Sequence, residues 1–143
     1  MKTKPMLGVP LHRLVVHVPI TMFMLVPVMD FAALFGGIEP WWSLALGATA
    51  LGLVVGGTAV ATGLIEYLHP SLVGINMRLA ARHGIRTSVA WCMFMIKFGI
   101  GTFSPLSDKI LMLCLMLDLI GCGILMQGAY FGTKLVYEQF MED

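Results

Sequence analysis

Four long apolar stretches, separated by short breaks, dominate the pattern of hydrophobic and polar positions along the chain. They run over residues 14–37, 41–68, 79–103 and 108–131. A helix needs about 20 mostly apolar residues to cross the hydrocarbon core of a bilayer. Each stretch meets that length, so the pattern predicts four transmembrane helices, of which the third is the most polar.

The breaks between these stretches cover residues 36–40, 69–76 and 104–107, and each contains glycine or proline. These residues end helices, and such short connections make consecutive helices antiparallel. Helices also satisfy their own backbone hydrogen bonds in lipid. We therefore expect residues 1–143 to form one domain, an all-α, up-down-up-down four-helix bundle in a membrane.

The composition supports a membrane environment over an aqueous one. Apolar residues make up 58% of the 143 residues and charged residues 12%, whereas a soluble domain has about 45–50% apolar and about 25% charged residues. A small core cannot bury that excess. The composition excludes a disordered chain, a secreted disulfide scaffold and an ordinary soluble enzyme. The net charge of +1 gives no broad basic surface for nucleic acid, so the expected partner is the lipid bilayer.

Lysine and arginine are distributed unevenly between the two sides that four spans create. The side opposite the termini has only Lys97 and Lys109. The side of the termini has the other seven: Lys2, Lys4, Arg13, Arg78, Arg82, Arg86 and Lys134. The positive-inside rule therefore predicts that both termini are cytoplasmic. No cleavable signal sequence is expected, because no small-residue cleavage site follows a short apolar run.

Small residues recur at steps of three or four along the second span. They are Ala45, Ala48, Gly52, Gly56, Ala59 and Gly63. Such a stripe lets helices approach closely, and helix packing is our preferred interpretation; a flat cofactor against the glycine face is the alternative.

The 12 methionines are likewise interpreted as adaptable packing residues, with copper(I) ligands as the alternative. The three cysteines lie within the spans and predict no disulfide framework.

Three charged residues fall inside the predicted spans: Asp30, Lys97 and Asp118. Charges in a membrane are costly and are candidates for function. A structural ion pair between Lys97 and one aspartate is the preferred interpretation, because an unpaired charge there is expensive. A proton relay from the outer side is the alternative, and the spacing does not choose between them.

The four histidines, His12, His17, His69 and His83, all fall on the cytoplasmic side of this topology. Neutral imidazole is a common metal ligand. His17 and His83 have similar depths on two helices, so we expect them to be the axial ligands of a heme b, with His12 and His69 as reserve ligands. Bis-histidine ligation supports electron transfer. A zinc or copper site of three or four histidines and hydrogen-bonded surface histidines are the alternatives.

Charged neighbours of these histidines suit a heme site. Glu66 has the same depth and could fix a histidine tautomer. Arg82 and Arg86 flank His83, and Arg13 is a weaker candidate beside His12; arginine binds carboxylates such as heme propionates in a bidentate fork. The same arginines could instead only anchor the helix at the membrane interface.

Residues 11–20, with the sequence LHRLVVHVPI, resemble the opening LHPLLVHFPI pattern of the bacterial membrane family called domain of unknown function 2231. Further similarities are Asp30, residues 63–67 (GLIEY), the Arg82-His83 pair and residues 132–137 (GTKLVY). Arg13 stands where the family pattern has proline. The resemblance implies a four-helix domain of the bacterial inner membrane, sometimes found beside cytochrome-like domains, and it favours a redox role.

The sequence thus predicts a small membrane-embedded electron-transfer subunit resembling a b-type cytochrome. The alternative is a cofactor-free structural subunit that packs against other membrane subunits or a second copy of itself. A transporter is a third possibility, although no inverted repeat is visible. No nucleophile–base pair or phosphate-binding loop is recognisable, so no enzyme class is predicted.

Overall fold

The computed structural model describes His12 and residues 15–68 and 75–141, leaving aside the side chains of residues 66, 75–76 and 138–141. This part of the chain contains four helices. We label them α1 (His17–Gly36), α2 (Trp41–Tyr67), α3 (Ile75–Phe103) and α4 (Asp108–Met141). The described part of the chain contains no strand. The all-α bundle expected from the sequence is confirmed.

The helix boundaries follow the predicted spans closely, except at two ends. Helices α2 and α4 begin at the predicted residues, Trp41 and Asp108. Helix α3 begins at Ile75, before the predicted start at 79. Helix α4 continues to Met141 instead of ending at 131, because the polar residues that follow the apolar stretch include no proline to stop it.

Three of the described helices are long and apolar enough to cross a membrane: α1, residues 41–65 of α2 and residues 108–137 of α4. Many of their large apolar side chains, such as Val54 and Ile65, are exposed outside the bundle, as expected where lipid is the solvent. Helix α3 is as long but more polar, since it carries three arginines and Lys97. The protein is therefore a membrane protein.

Each helix packs against two others: α1 and α3 both contact α2 and α4. The contacts between neighbouring helices run in opposite residue order. Pro19 of α1 lies against Gly56 of α2, and the later Phe23 lies against the earlier Gly52. This is the order expected of the antiparallel neighbours that short connections produce.

The small-residue stripe of α2 is occupied by side chains of the protein itself. A Cβ atom added at Gly52 would lie 2.7 Å from Cε1 of Phe23, and one added at Gly56 would lie 3.0 Å from Cδ1 of Trp91. Both separations are too short for ordinary contacts, so glycine is required for this approach of the helices. The packing interpretation of the stripe is confirmed.

Pro27 lies inside α1 and removes one helical hydrogen bond. Because proline has no N–H group, the carbonyl of Phe23, four residues earlier, has no intrahelical donor. The thiol of Cys122 on α4 donates to this carbonyl, with an S···O distance of 3.3 Å. A neighbouring helix thus satisfies the freed carbonyl, which is how proline is accommodated in membrane helices.

The interior of the bundle is arranged in alternating apolar and polar layers. A central apolar layer contains stacked Phe23 and Phe94, with ring centroids 4.1 Å apart, together with Ala90, Cys122 and Leu125. A second apolar layer lies nearer the other end of the bundle and contains Ala33, Trp42, Leu111 and Cys114. Between them lie the buried polar residues Asp30, Thr49, Lys97 and Asp118, which we call the aspartate–lysine cluster. The histidines lie beyond the central layer.

Candidate functional site: a histidine pair at one end of the bundle

His12 and His83 form a pair of imidazoles at the end of the bundle where α1 begins. Their ring centroids are 6.0 Å apart and their planes are inclined by 85°. Both side chains are half-buried. His12 precedes α1 and His83 lies on α3, so the fold brings together two histidines that are distant in sequence.

Each imidazole of the histidine pair donates a hydrogen bond to a main-chain carbonyl of a different helix. Nδ1 of His12 lies 2.8 Å from the carbonyl oxygen of Ala59 on α2, and Nδ1 of His83 lies 2.8 Å from that of Gly128 on α4. A carbonyl oxygen only accepts, so each Nδ1 carries a proton, and in the neutral form of each ring the lone pair is on Nε2. Metal-binding histidines are typically oriented in this way.

Both rings also lie against a glycine one helical turn beyond the carbonyl that they contact. A Cβ atom at Gly63 would lie 3.0 Å from Cε1 of His12, and one at Gly132 would lie 2.9 Å from Nδ1 of His83. Helices α2 and α4 thus hold their histidines by the same local arrangement, a carbonyl at position i and a glycine at position i+4.

Replacing Gly132 with alanine tests this arrangement. The added methyl group would displace the His83 ring and lengthen its hydrogen bond to Gly128, because the Cβ position is only 2.9 Å from Nδ1. Alanine at Gly47, where no atom lies within 4 Å, adds only helix propensity. We expect G132A to be less stable than G47A by about 1–2 kcal/mol, measured by thermal unfolding in detergent micelles. Equal stability of the two variants would contradict the arrangement.

The ligand pair expected from the sequence was His17 and His83, whereas the ring in contact with His83 is that of His12. His17 is exposed at the first residue of α1. The ring of His12 instead lies against α2 and α3, where it contacts the carbonyl of Ala59 and the ring of His83.

The structure describes some of the other predicted site residues fully, some in part and some not at all. Arg13 and His69 lie outside the described residues, and Glu66 is placed by its backbone alone, next to the end of α2. No group of three or more metal-binding side chains occurs among the described residues. A zinc or copper site of three or four histidines would therefore have to include His69.

Arg82 and Arg86 flank His83 on α3 and both contact the ring of Phe131 on α4. Their guanidinium carbons lie 5.7 and 4.6 Å from the centre of that ring, within the range of cation–π attraction. Arg86 also donates to the side-chain oxygen of Gln127 over 3.4 Å. Arg82 is exposed, so its guanidinium is accessible to an anionic group at this end of the bundle.

The second polar site is the aspartate–lysine cluster. Nζ of Lys97 lies 3.2 Å from Oδ2 of Asp30 and 3.6 Å from Oδ2 of Asp118, and all three side chains are fully buried. The ion pair predicted from the sequence is therefore confirmed, with Asp30 as the closer partner, and Asp118 is a second carboxyl group beside the same ammonium.

Two partners of Lys97 in this cluster were missed by sequence reasoning. The hydroxyl oxygen of Thr49 accepts from Nζ over 3.4 Å, and Nζ lies 5.4 Å from the centre of the Trp42 ring. The position of Thr49 on the small-residue face of α2 was the available signal, because it is the polar member of that buried face.

Comparison with known proteins gives one family. Residues 8–142 match the profile of the family described as "Predicted membrane protein (DUF2231)", which covers nearly the whole chain. No curated protein and no solved structure matches the chain.

Proposed function

The chain belongs to the DUF2231 family of predicted membrane proteins, and from that premise we propose that it is a membrane-embedded electron-transfer subunit in which His12 and His83 hold the iron of a heme b. The observation that carries the proposal is the state of the two imidazoles. Each has its Nδ1–H committed to a main-chain carbonyl and its Nε2 lone pair free for a metal. His12 takes the place of His17 in this proposal because it is the ring beside His83.

The separation of the two rings supports a single metal between them. The two Nε2 atoms would hold a metal ion at metal–nitrogen distances of about 2 Å, which requires the two rings to lie close together. The observed separation is 6.0 Å. Two imidazole ligands, one from the residue before α1 and one from α3, would suit heme iron, and bis-histidine ligation would support electron transfer.

The other residues of this end of the bundle have distinct parts in the proposal. The carbonyls of Ala59 and Gly128 fix the tautomer and orientation of the imidazoles. Arg82 and Arg86 offer cationic groups for the propionates, with Arg13 as a further candidate. His17 and His69 have no part in this site. When bound, the heme supplies a one-electron carrier.

We also propose that α3 is a fourth transmembrane span, with both termini on the cytoplasmic side of a bacterial inner membrane. The charge of Lys97 is offset inside the bundle by two carboxylates, so it need not face lipid. The arginines of α3 precede it, at residues 78, 82 and 86. The seven-to-two distribution of lysine and arginine then follows the positive-inside rule.

Three histidine variants test the heme proposal. Purified wild-type protein is expected to show a Soret band that shifts on reduction with dithionite, with one iron per chain. H12A and H83A should each lower heme occupancy at least about tenfold, because loss of a ligand is more severe than loss of a group that orients one. H17A is the matched control and should keep the pigment. A colourless, metal-free wild type, or pigment lost in H17A and kept in H12A, would contradict this assignment.

A cofactor-free structural subunit is the second candidate, and one observation favours it. The two histidine–carbonyl hydrogen bonds already connect His12 to α2 and α3 to α4 without any metal. Exposed apolar side chains would then pack on other membrane subunits or on a second copy. Native mass measurement in mild detergent distinguishes the two, since stoichiometric protein partners without pigment would favour the structural role.

A further inference from the structure

The aspartate–lysine cluster receives one side chain from every helix of the bundle. Asp30 comes from α1, Thr49 from α2, Lys97 from α3 and Asp118 from α4, and each is 0% exposed. Such convergence of polar groups in the interior of a membrane bundle is costly and marks a candidate functional site. The proposed heme site does not use these residues.

The cluster contains two carboxylates for a single ammonium group. Asp30 is the closer partner of Lys97, with its two oxygens 3.2 and 3.4 Å from Nζ, whereas the nearest oxygen of Asp118 is 3.6 Å away. Two ionised aspartates would therefore leave one negative charge uncompensated away from water, which is strongly unfavourable.

Asp118 also lacks a hydrogen-bond donor among the described residues. Both of its carboxyl oxygens are buried without a hydrogen-bond partner. The hydroxyl of Thr49 cannot serve, because its hydrogen is donated to the carbonyl of Ala45 over 2.7 Å. A proton on Asp118 would remove the excess charge and turn its carboxyl group into a donor, for which Oδ2 of Asp30, also buried without a hydrogen-bond partner, is an available acceptor.

The surroundings supply no further charge among the described residues. Trp42 presents its ring face to the ammonium group, and the free thiol of Cys114 is buried one helical turn before Asp118. Asp30, Lys97 and Asp118 are the buried charged residues of the described chain. The stacked rings of Phe23 and Phe94 separate the cluster from the histidine pair.

We propose that the cluster is a proton-binding site, holding one exchangeable proton on the carboxyl group of Asp118 and shared with Asp30. The cluster then consists of an ammonium, a carboxylate and a carboxylic acid and is neutral as a whole. The proton resides in the membrane interior, between the two apolar layers. The proposal is independent of the heme, because it uses none of the residues of the histidine pair.

Infrared spectroscopy of the full-length protein in liposomes tests the proposal on the wild type. We expect the C=O stretching band of a protonated carboxylic acid at neutral pH. The band should shift when aspartate is labelled with ¹³C at its side-chain carboxyl, and should shift again after transfer to D₂O. Absence of the band, a band insensitive to the aspartate label, or a band that never responds to D₂O would each overturn the proposal. A band that appears only when sodium is removed would show a bound cation instead and would also overturn it.

Two matched asparagine variants assign the proton. D118N should lose the labelled band, because asparagine has the shape of the acid but no carboxyl group. D108N changes an exposed aspartate at the start of α4 and should keep it. An unchanged band in D118N would overturn the assignment to Asp118, and the isotope shift of the wild type remains decisive if that variant fails to fold.

Discussion

Replacing Lys97 with methionine is expected to lower the free energy of unfolding by about 3–5 kcal/mol, the usual cost of breaking a buried ion pair by removing one partner. Methionine fills a similar volume but has no charge. Asp30 and Asp118 would then lie in the bundle interior without the ammonium group that now lies within 3.6 Å of both. Water cannot replace it, since all three side chains are fully buried.

Denaturant unfolding in mixed micelles measures this effect. K109M is the control, because Lys109 is exposed, and it should differ little from the wild type. The double variant K97M/D30N should recover part of the loss, because it removes the carboxylate that lies closest to the ammonium. If K97M unfolds at the same denaturant concentration as K109M, the ion pair contributes no stability and this account is wrong.

Replacing Phe94 with alanine is expected to have the second large effect, about 3 kcal/mol of lost stability. Phe94 is 1% exposed and stacks on Phe23 at the centre of the bundle. Alanine would leave a cavity there, because the opposing Gly121 has no side chain with which to fill it. Phe103, which is 85% exposed, offers the matched control F103A.

F94A should also change the protection of the aspartate–lysine cluster. The central apolar layer separates that cluster from the histidine end, so a layer that has lost packing contacts opens locally more often and exposes the cluster to exchange. We expect the carboxylic acid band to exchange in D₂O at least several-fold faster in F94A than in F103A. Equal stability and equal exchange rates in the two variants would show that the aromatic stack neither supports nor closes the bundle.

Some helix ends could be predicted from the sequence and others could not, because only some are marked by a residue type or a change in hydropathy. The end of α1 could be predicted because residue 37 is a glycine. In the structure Gly37 adopts a positive φ of 115°, a conformation that favours glycine. The end of α4 could not be predicted from the sequence. A fall in hydropathy indicates where a helix leaves the lipid, but it does not indicate where the helical hydrogen bonds end. Residues 132–141 continue the helix beyond the predicted apolar stretch.

In the candidate sites, too, the sequence predicted which residues need a partner but not which side chains meet in the fold. The pairing of Lys97 was predictable, since charge in lipid requires a partner. That both aspartates reach it depends on the rotation of each helix about its axis, which spacing alone does not determine. The choice of His12 over His17 has the same origin. The structure places the ring of His12 beside His83 and leaves His17 exposed, and the spacing of the histidines does not determine which ring faces the bundle.

The hydrogen bond from Cys122 to the carbonyl that Pro27 leaves free couples two distant positions energetically. Loss of the thiol is harmful only while the proline is present, and an N–H at position 27 makes the thiol dispensable. Substitutions at the two sites should therefore show epistasis, and homologues are expected to exchange both residues together or neither.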